Sequence, residues 1–180
     1  MSQPEQAPPL DPVINVDDAP EIAQLKGDGW GGHFKRLTPS MAPGGGSLGV
    51  NWMRVPKGRS ICPFHTHQID AVGTIDEVFF VLSGRGVLRY GEDLVAIKAG
   101  DCVSCPAGTG KGHQIANPHD EDLIYLAIGH RDPNEVCTYP DTGKVLIRSL
   151  GQIGQLDPRG YMDGEPDQPR IFNLISEEPS

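Results

Sequence analysis

The residues with metal-binding chemistry fall in three short strings. His65 and His67 flank Thr66 in Pro63-Phe64-His65-Thr66-His67, and Glu77 opens Glu77-Val78-Phe79-Phe80-Val81-Leu82-Ser83-Gly84. His113 lies in Gly108-Thr109-Gly110-Lys111-Gly112-His113-Gln114-Ile115-Ala116-Asn117. Side chains alternate along a strand, so His65 and His67 point the same way, and Glu77 shares a face with Phe79 and Val81. Three neutral imidazoles and a carboxylate form an N₃O donor set. That set suits one divalent transition metal (Mn, Fe, Ni, Co or Zn) and leaves positions for water or substrate. The expected ligands are His65, His67, Glu77 and His113, set inside a β-barrel.

The elements that must carry these residues are short. The pattern predicts strands at about 48–55, 60–67, 77–83, 86–90, 94–98, 102–105, 112–117 and 123–130, with a further segment near 144–149. Gly84, Gly91-Glu92-Asp93, Ala99-Gly100-Asp101 and Asn117-Pro118-His119-Asp120 punctuate them. Many short strands at this spacing imply an all-β, closed or double-sheet barrel. We therefore expect an N-terminal arm with turns over 1–47, a barrel over 48–150 and an irregular tail over 151–180. Within the first part, Glu21–Lys26 reads as a short helix. Within the last, Ile171-Phe172-Asn173-Leu174-Ile175 reads as an anchoring apolar piece.

Composition narrows the function. The formal net charge is −9 and the chain has no basic run, which argues against a nucleic-acid surface. With 23 Gly and 17 Pro the backbone turns often, favouring strands over long helices. The first residues lack a basic start and an apolar stretch, so no signal peptide is expected. The longest apolar run, Leu123 to Gly129, is too short to cross a bilayer. The expected setting is the bacterial cytoplasm, with Cys62, Cys102, Cys105 and Cys137 reduced.

The strings resemble the two motifs of the cupin superfamily. Gly58, His65, His67, Glu77 and Gly84 fit the first motif, with one extra residue after Gly58 and nine residues before Glu77. Gly100, Pro106, Gly108, His113 and Asn117 match the second, except that four residues separate Gly108 from His113. The stretches 77–84, 88–91, 113–115 and 139–145 are similar to a single-domain bacterial branch loosely labelled sugar-phosphate-isomerase-like cupins. The resemblance covers roughly residues 48–148 and implies a double-stranded β-helix, or jelly-roll barrel, with irregular extensions at both ends. It departs from the pattern at Gln68 to Asp76, an insert before the glutamate. Asp76 and Asp70 are therefore weaker candidates for the carboxylate, and only Glu77 keeps the six-residue spacing to Gly84. Gly73 is expected at the reversal of the insert, and the loop beside the pocket opening.

The resemblance further implies a metal-dependent enzyme with isomerase, epimerase or lyase chemistry on a small oxygenated, sugar-like or carboxylic acid substrate. With Fe(II) the same ligands would suit a dioxygenase, and a non-catalytic ligand-binding cupin is a third reading. Catalytic and substrate-binding residues stay unassigned. A homodimer is expected, since cupins commonly cover open sheet edges with a second copy. His33, His119 and His130 lie outside the motifs and read as surface or structural residues. Cys102-Val103-Ser104-Cys105 coincides with a strand, so it reads as buried thiols rather than a redox or zinc motif. Lys111 reads as a solvated loop residue, with contact to an anionic substrate as the alternative. Phe79, Val81, Leu88, Tyr90 and Tyr125 read as barrel lining or outer core.

Overall fold

Along Glu77–Ser83, Phe79 and Val81 are buried while Phe80 and Leu82 are exposed. This is the period of two expected of a strand with one face in a core. The same logic repeats through the computed structural model, which describes residues 11–41, 46–69, 72–73 and 75–176. The strands are β1 (Ile22–Lys26), β2 (Trp30–Arg36), β3 (Leu48–Val55), β4 (Arg59–Ser60), β5 (Gln68–Ile69), β6 (Val72–Gly73) and β7 (Glu77–Ser83). Then come β8 (Arg85–Tyr90), β9 (Asp93–Lys98), β10 (Cys102–Cys105), β11 (His113–Asn117) and β12 (Leu123–His130). The last are β13 (Val136–Tyr139), β14 (Lys144–Ile147) and β15 (Gln152–Gly154), followed by helix α1 (Arg170–Ser176).

A ten-stranded sheet runs in the order β10-β7-β12-β3-β2-β4-β11-β8-β9, with β1 paired to β2. It curls on itself, because Val55, Phe79, Val81, Leu88, Ile97, Val103, Ile115, Leu123 and Tyr125 from seven of its strands meet in one core. Val81 and Leu123 are fully buried, each a gain of roughly 1.5–3 kcal/mol over exposure. The all-β jelly-roll expectation holds, and the strands predicted at 48–55, 77–83, 102–105 and 123–130 have those bounds.

Four readings need correction. Residues 22–26 form a strand, not a helix, because β1 pairs along its length with β2, from Ile22↔Phe34 to Lys26↔Trp30. The sheet thus begins upstream of Leu48, and 22–36, assigned to the arm by sequence, belong to it. The strand expected at 60–67 breaks after Ser60, with only isolated bridges at His65 and Thr66. Pro63, which has no N–H to give a ladder, stands in the break. Finally, α1 is helical, and Ile171, Phe172, Leu174 and Ile175 are all exposed rather than anchored. Residues 1–10 of the expected arm lie outside the described residues. Of the following ten, Ala19 is buried and Val16 O accepts a hydrogen bond from Lys35 Nζ at 2.8 Å.

The insert folds as a β5–β6 hairpin, with Gln68 opposite Gly73 and Ile69 opposite Val72. Its reversal therefore falls between Ile69 and Val72, and Gly73 sits in the returning strand. Asp70, the weaker carboxylate candidate, lies outside the described residues.

Candidate metal centre

His113 begins β11 and Glu77 begins β7, each at the barrel end of its strand. The broken segment before β5 lays His65 against His113 by a two-way backbone bridge: His65 N–H donates to His113 O at 3.2 Å, and His113 N–H donates to His65 O at 2.8 Å. Gly112 makes this approach possible, since a Cβ there would stand 2.7 Å from the Phe64 ring. Thr66 is held in the same way by Thr138 of β13. His65 and His67 are therefore fixed by neighbours on two sides, although no continuous strand carries them.

The ligand atoms of His65, His67, Glu77 and His113 lie within 4.8 Å of one another. Glu77 Oε2 is 2.7 Å from His113 Nε2, 3.0 Å from His67 Nε2 and 4.0 Å from His65 Nε2. Donors sharing an ion at about 2.1 Å stand roughly 3–4 Å apart, so small side-chain adjustments suffice to admit one. The outer ring nitrogens are tied down. His65 Nδ1 donates to Pro63 O at 2.8 Å, which turns the lone pair of Nε2 inward. His67 Nδ1 is bonded to Glu135 Oε1, and Arg148 Nε donates to the other oxygen of Glu135. The four residues fit a divalent metal in donor type and convergence, and His65 also in tautomer.

The electrostatics follow from burial and these contacts. Burial lowers the His65 pKa to about 4, and the neighbouring His113 and His67 push the same way, so its imidazole is neutral. Burial also opposes charge on His67, but the hydrogen bonds to Glu135 and Glu77 outweigh it and raise the pKa to about 9. Burial works against ionised Glu77 too, yet His113 and His67 hold its carboxyl well below the usual range. Glu135, only 3% exposed, is likewise lowered, with His67 and Arg148 overcoming burial.

Sequence reasoning missed Glu135. It lies outside every motif string, on the turn before β13, and the signal that reveals it is a buried carboxylate bridging His67 and Arg148. Cys137, also buried, completes a second close group with His67 and Glu135. Among the other candidates, Asp76 points elsewhere, its Oδ1 accepting the Ala107 N–H at 2.8 Å. His33 pairs with Glu21 at 2.9 Å, and His119 and His130 are outside the cluster. Cys105 is buried, but Cys102 on the opposite face of β10 is exposed, as is Cys62, which corrects the reading of the CxxC as two buried thiols. Lys111 Nζ sits 5.2 Å over the Tyr90 ring.

Two cavities meet at Glu77. The larger, about 560 Å³, is lined by Glu77, Asn51, Ala127, Gly129, Arg131 and Arg148 among others. The smaller, about 180 Å³, reaches into the barrel past His65, His113, Phe79 and Tyr125. Burial raises the Tyr125 phenol well above its ordinary pKa, and its ring meets Phe79 edge-on at 5.7 Å, so it is core. Of the insert's described side chains, Ile75 and Asp76, neither lines the larger cavity. Ile75 instead closes a narrow crevice beside His67, His113 and Lys111.

Comparison with known proteins agrees with this architecture. The cupin domain family model matches residues 51–129. The structure resembles that of a sugar phosphate isomerase from a cupin superfamily of Silicibacter pomeroyi, with TM-score 0.67 and 26% identity over 83% of this chain and 98% of that one. It shares its fold with a predicted oxalate decarboxylase of Thermotoga maritima, with TM-score 0.53 and 23% identity over 66% of this chain and 97% of that one. In sequence it is 34% identical over 76 residues to the oxalate-binding protein of Thermotoga maritima, covering 42% of this chain and 56% of that relative. The match thus spans little more than half the length of that relative. Among the described residues, no helix is long and apolar enough to cross a membrane.

Proposed function

We propose that this chain, whose barrel is a cupin domain, is a metal-dependent enzyme. It acts on a small oxygenated substrate, sugar-like or a carboxylic acid, by isomerase, epimerase or lyase chemistry. The observation that carries the reading is the convergence of three histidines and Glu77 at the junction of two cavities, one of them open to small molecules. A divalent ion held by these residues would polarise a substrate oxygen and stabilise negative charge as a neighbouring proton moves. The chain's own residues prepare the site. His65 stays neutral, Glu135 fixes the ring of His67, and Phe79 and Tyr125 give the inner cavity an apolar wall. The names of the Silicibacter and Thermotoga relatives support sugar and small-acid chemistry as the place to look.

The test is elemental analysis of purified protein, followed by a panel of sugar phosphates and hydroxy acids with and without EDTA. Turnover that disappears with EDTA and returns with one metal is expected. Uptake of O₂ on adding Fe(II) would replace this reading with a dioxygenase. The name of the oxalate-binding relative favours a second reading, a binding protein, and tight ligand binding without turnover across the panel would establish it. The proposal includes a homodimer in the cytoplasm, supported by exposed Leu94 and Val95 on β9, an edge strand of the sheet. A light-scattering mass near the 19.4 kDa of one chain would refute the dimer.

A further inference from the structure

Two positions in the floor of the wide cavity, Gly49 and Gly129, carry no side chain. On β12, Gly129 pairs with Glu77 of β7 on one side and with Gly49 of β3 on the other, so the three form one row across the sheet. Cross-strand partners project to the same face, which here is the face of the metal site. A Cβ on Gly129 would stand 3.3 Å from Glu77 Cγ and Oε1, and one on Gly49 would stand 2.8 Å from Arg131 Nε. Glu77 therefore lies over one glycine and Arg131 over the other. Each strand step is about 4.8 Å, which places the carboxylate and the guanidinium on the order of 5–10 Å apart across bare backbone.

Arg131 is partly buried and makes no ion pair among the described residues. The other charges facing the cavity have work of their own. Arg148 and Glu135 are paired, and Glu135 also holds His67. Asp132 Oδ1 accepts the Asn134 N–H at 2.8 Å within its turn. A guanidinium at a cavity wall matches the planar geometry of a carboxylate or phosphate.

We infer that Arg131 seats the anionic tail of an elongated substrate whose oxygenated head lies against Glu77 and its histidines. The inference rests on the metal-site reading for the head and on the glycine row for the tail. The head must also reach past Glu77 to its histidines, whose Nε2 atoms lie a further 2.7–4.0 Å from Oε2. With contacts of about 3 Å at each end and carbon–carbon bonds of about 1.5 Å, the whole span therefore takes a chain of roughly three to five carbons. Oxalate, with its two carboxylates on adjacent carbons, is too short to reach both ends. The substrate class is a small acid or phosphate ester with its anion several atoms from the reacting oxygens.

Calorimetric titration of Mn(II)-loaded protein with oxalate, succinate and 3-phosphoglycerate tests this, using wild type, Arg131→Gln and Gly49→Ala. Succinate or 3-phosphoglycerate should bind about tenfold or more weakly to Arg131→Gln, while oxalate changes less than about twofold and Mn content is unchanged. Gly49→Ala, which displaces Arg131, should repeat the pattern more weakly. The stronger of the two long ligands identifies the tail as carboxylate or phosphate. Equal losses for short and long anions, or none, would overturn the inference. If the wild type holds no Mn, the metal reading fails by itself. The tail seat is then judged on the same protein: Arg131-dependent succinate or phosphoglycerate binding supports it, and no such binding refutes it.

Discussion

The two sides of Glu77 are built by opposite means. On the histidine side, each histidine is held by a second contact: the ring of His65 by Pro63, the ring of His67 by Glu135, and His113 through its backbone by that of His65. On the glycine side, Gly49 and Gly129 withhold side chains so that Arg131 and Glu77 face each other over open backbone. The first side fixes geometry and the second leaves room. A site that must grip an ion tightly and exchange small molecules needs both, and the contrast predicts which substitutions cost metal and which cost only ligand.

The largest effect is expected from the most buried ligand. His113→Ala removes a donor that is only 3% exposed and sits 2.7 Å from Glu77. Metal content after purification should fall below about a tenth of wild type, by analogy with the loss of any member of a four-donor set. His119→Ala should keep full content. Full occupancy in His113→Ala, with wild-type circular dichroism, would remove the histidine side of the comparison altogether.

Next in size is Glu135→Gln. The amide keeps the shape but not the charge that orients His67, and it leaves Arg148 without its partner. Metal affinity should drop by about 10- to 100-fold, the usual cost of losing a carboxylate behind a ligating histidine. Competition with a chelator measures it. An unchanged affinity would mean that Glu135 serves Arg148 and the fold, not the metal site.

A smaller effect concerns pH. In protein treated with EDTA, the folded-state pKa of His67 is raised from an ordinary 6.5 to about 9. A raised pKa adds stability that is fully present below about 6.5 and is lost as pH climbs through about 9. The melting temperature of the chelated protein should therefore fall across this window, by roughly 2–4 °C for each kcal/mol lost. Metal binding must displace the same proton, so in the loaded protein affinity should rise over that window. Parallel pH dependence in the loaded and chelated forms would show that His67 is not the shared group.

How much of this was legible in the sequence depends on how local the signal was. β7 carries its alternation and its ligand in one string, and its expected bounds are the observed ones. β1 reads as a helix from sequence because Ile-Ala-Gln-Leu-Lys suits one, and only pairing with β2 reveals a strand. The four ligands lie in motif strings, so their types and spacing suffice to nominate them. Glu135 and Arg131 lie in the loop between β12 and β13, and their roles arise from partners at His67 and Gly49, 68 and 82 residues away. Such roles come from the topology that brings β3, β12 and β7 side by side.

The smallest effect should come from Gly129→Ala, and it tests whether the two sides are separable. The added Cβ would stand 3.3 Å from Glu77 Cγ and Oε1, close enough that the side chain must yield by a few tenths of an ångström. Glu77 is also held from the histidine side by His67 and His113, so it has little reason to leave the cluster. Supported ligands tolerate shifts of about half an ångström, which puts the expected loss of metal affinity below about fivefold. The same methyl stands in the path between Glu77 and Arg131, so succinate-length anions should lose more than metal does. Chelator competition and ligand titration on the one variant give both numbers. If metal falls as far as in His113→Ala, the floor is part of the metal site, and the division between a gripping side and an open side should be abandoned.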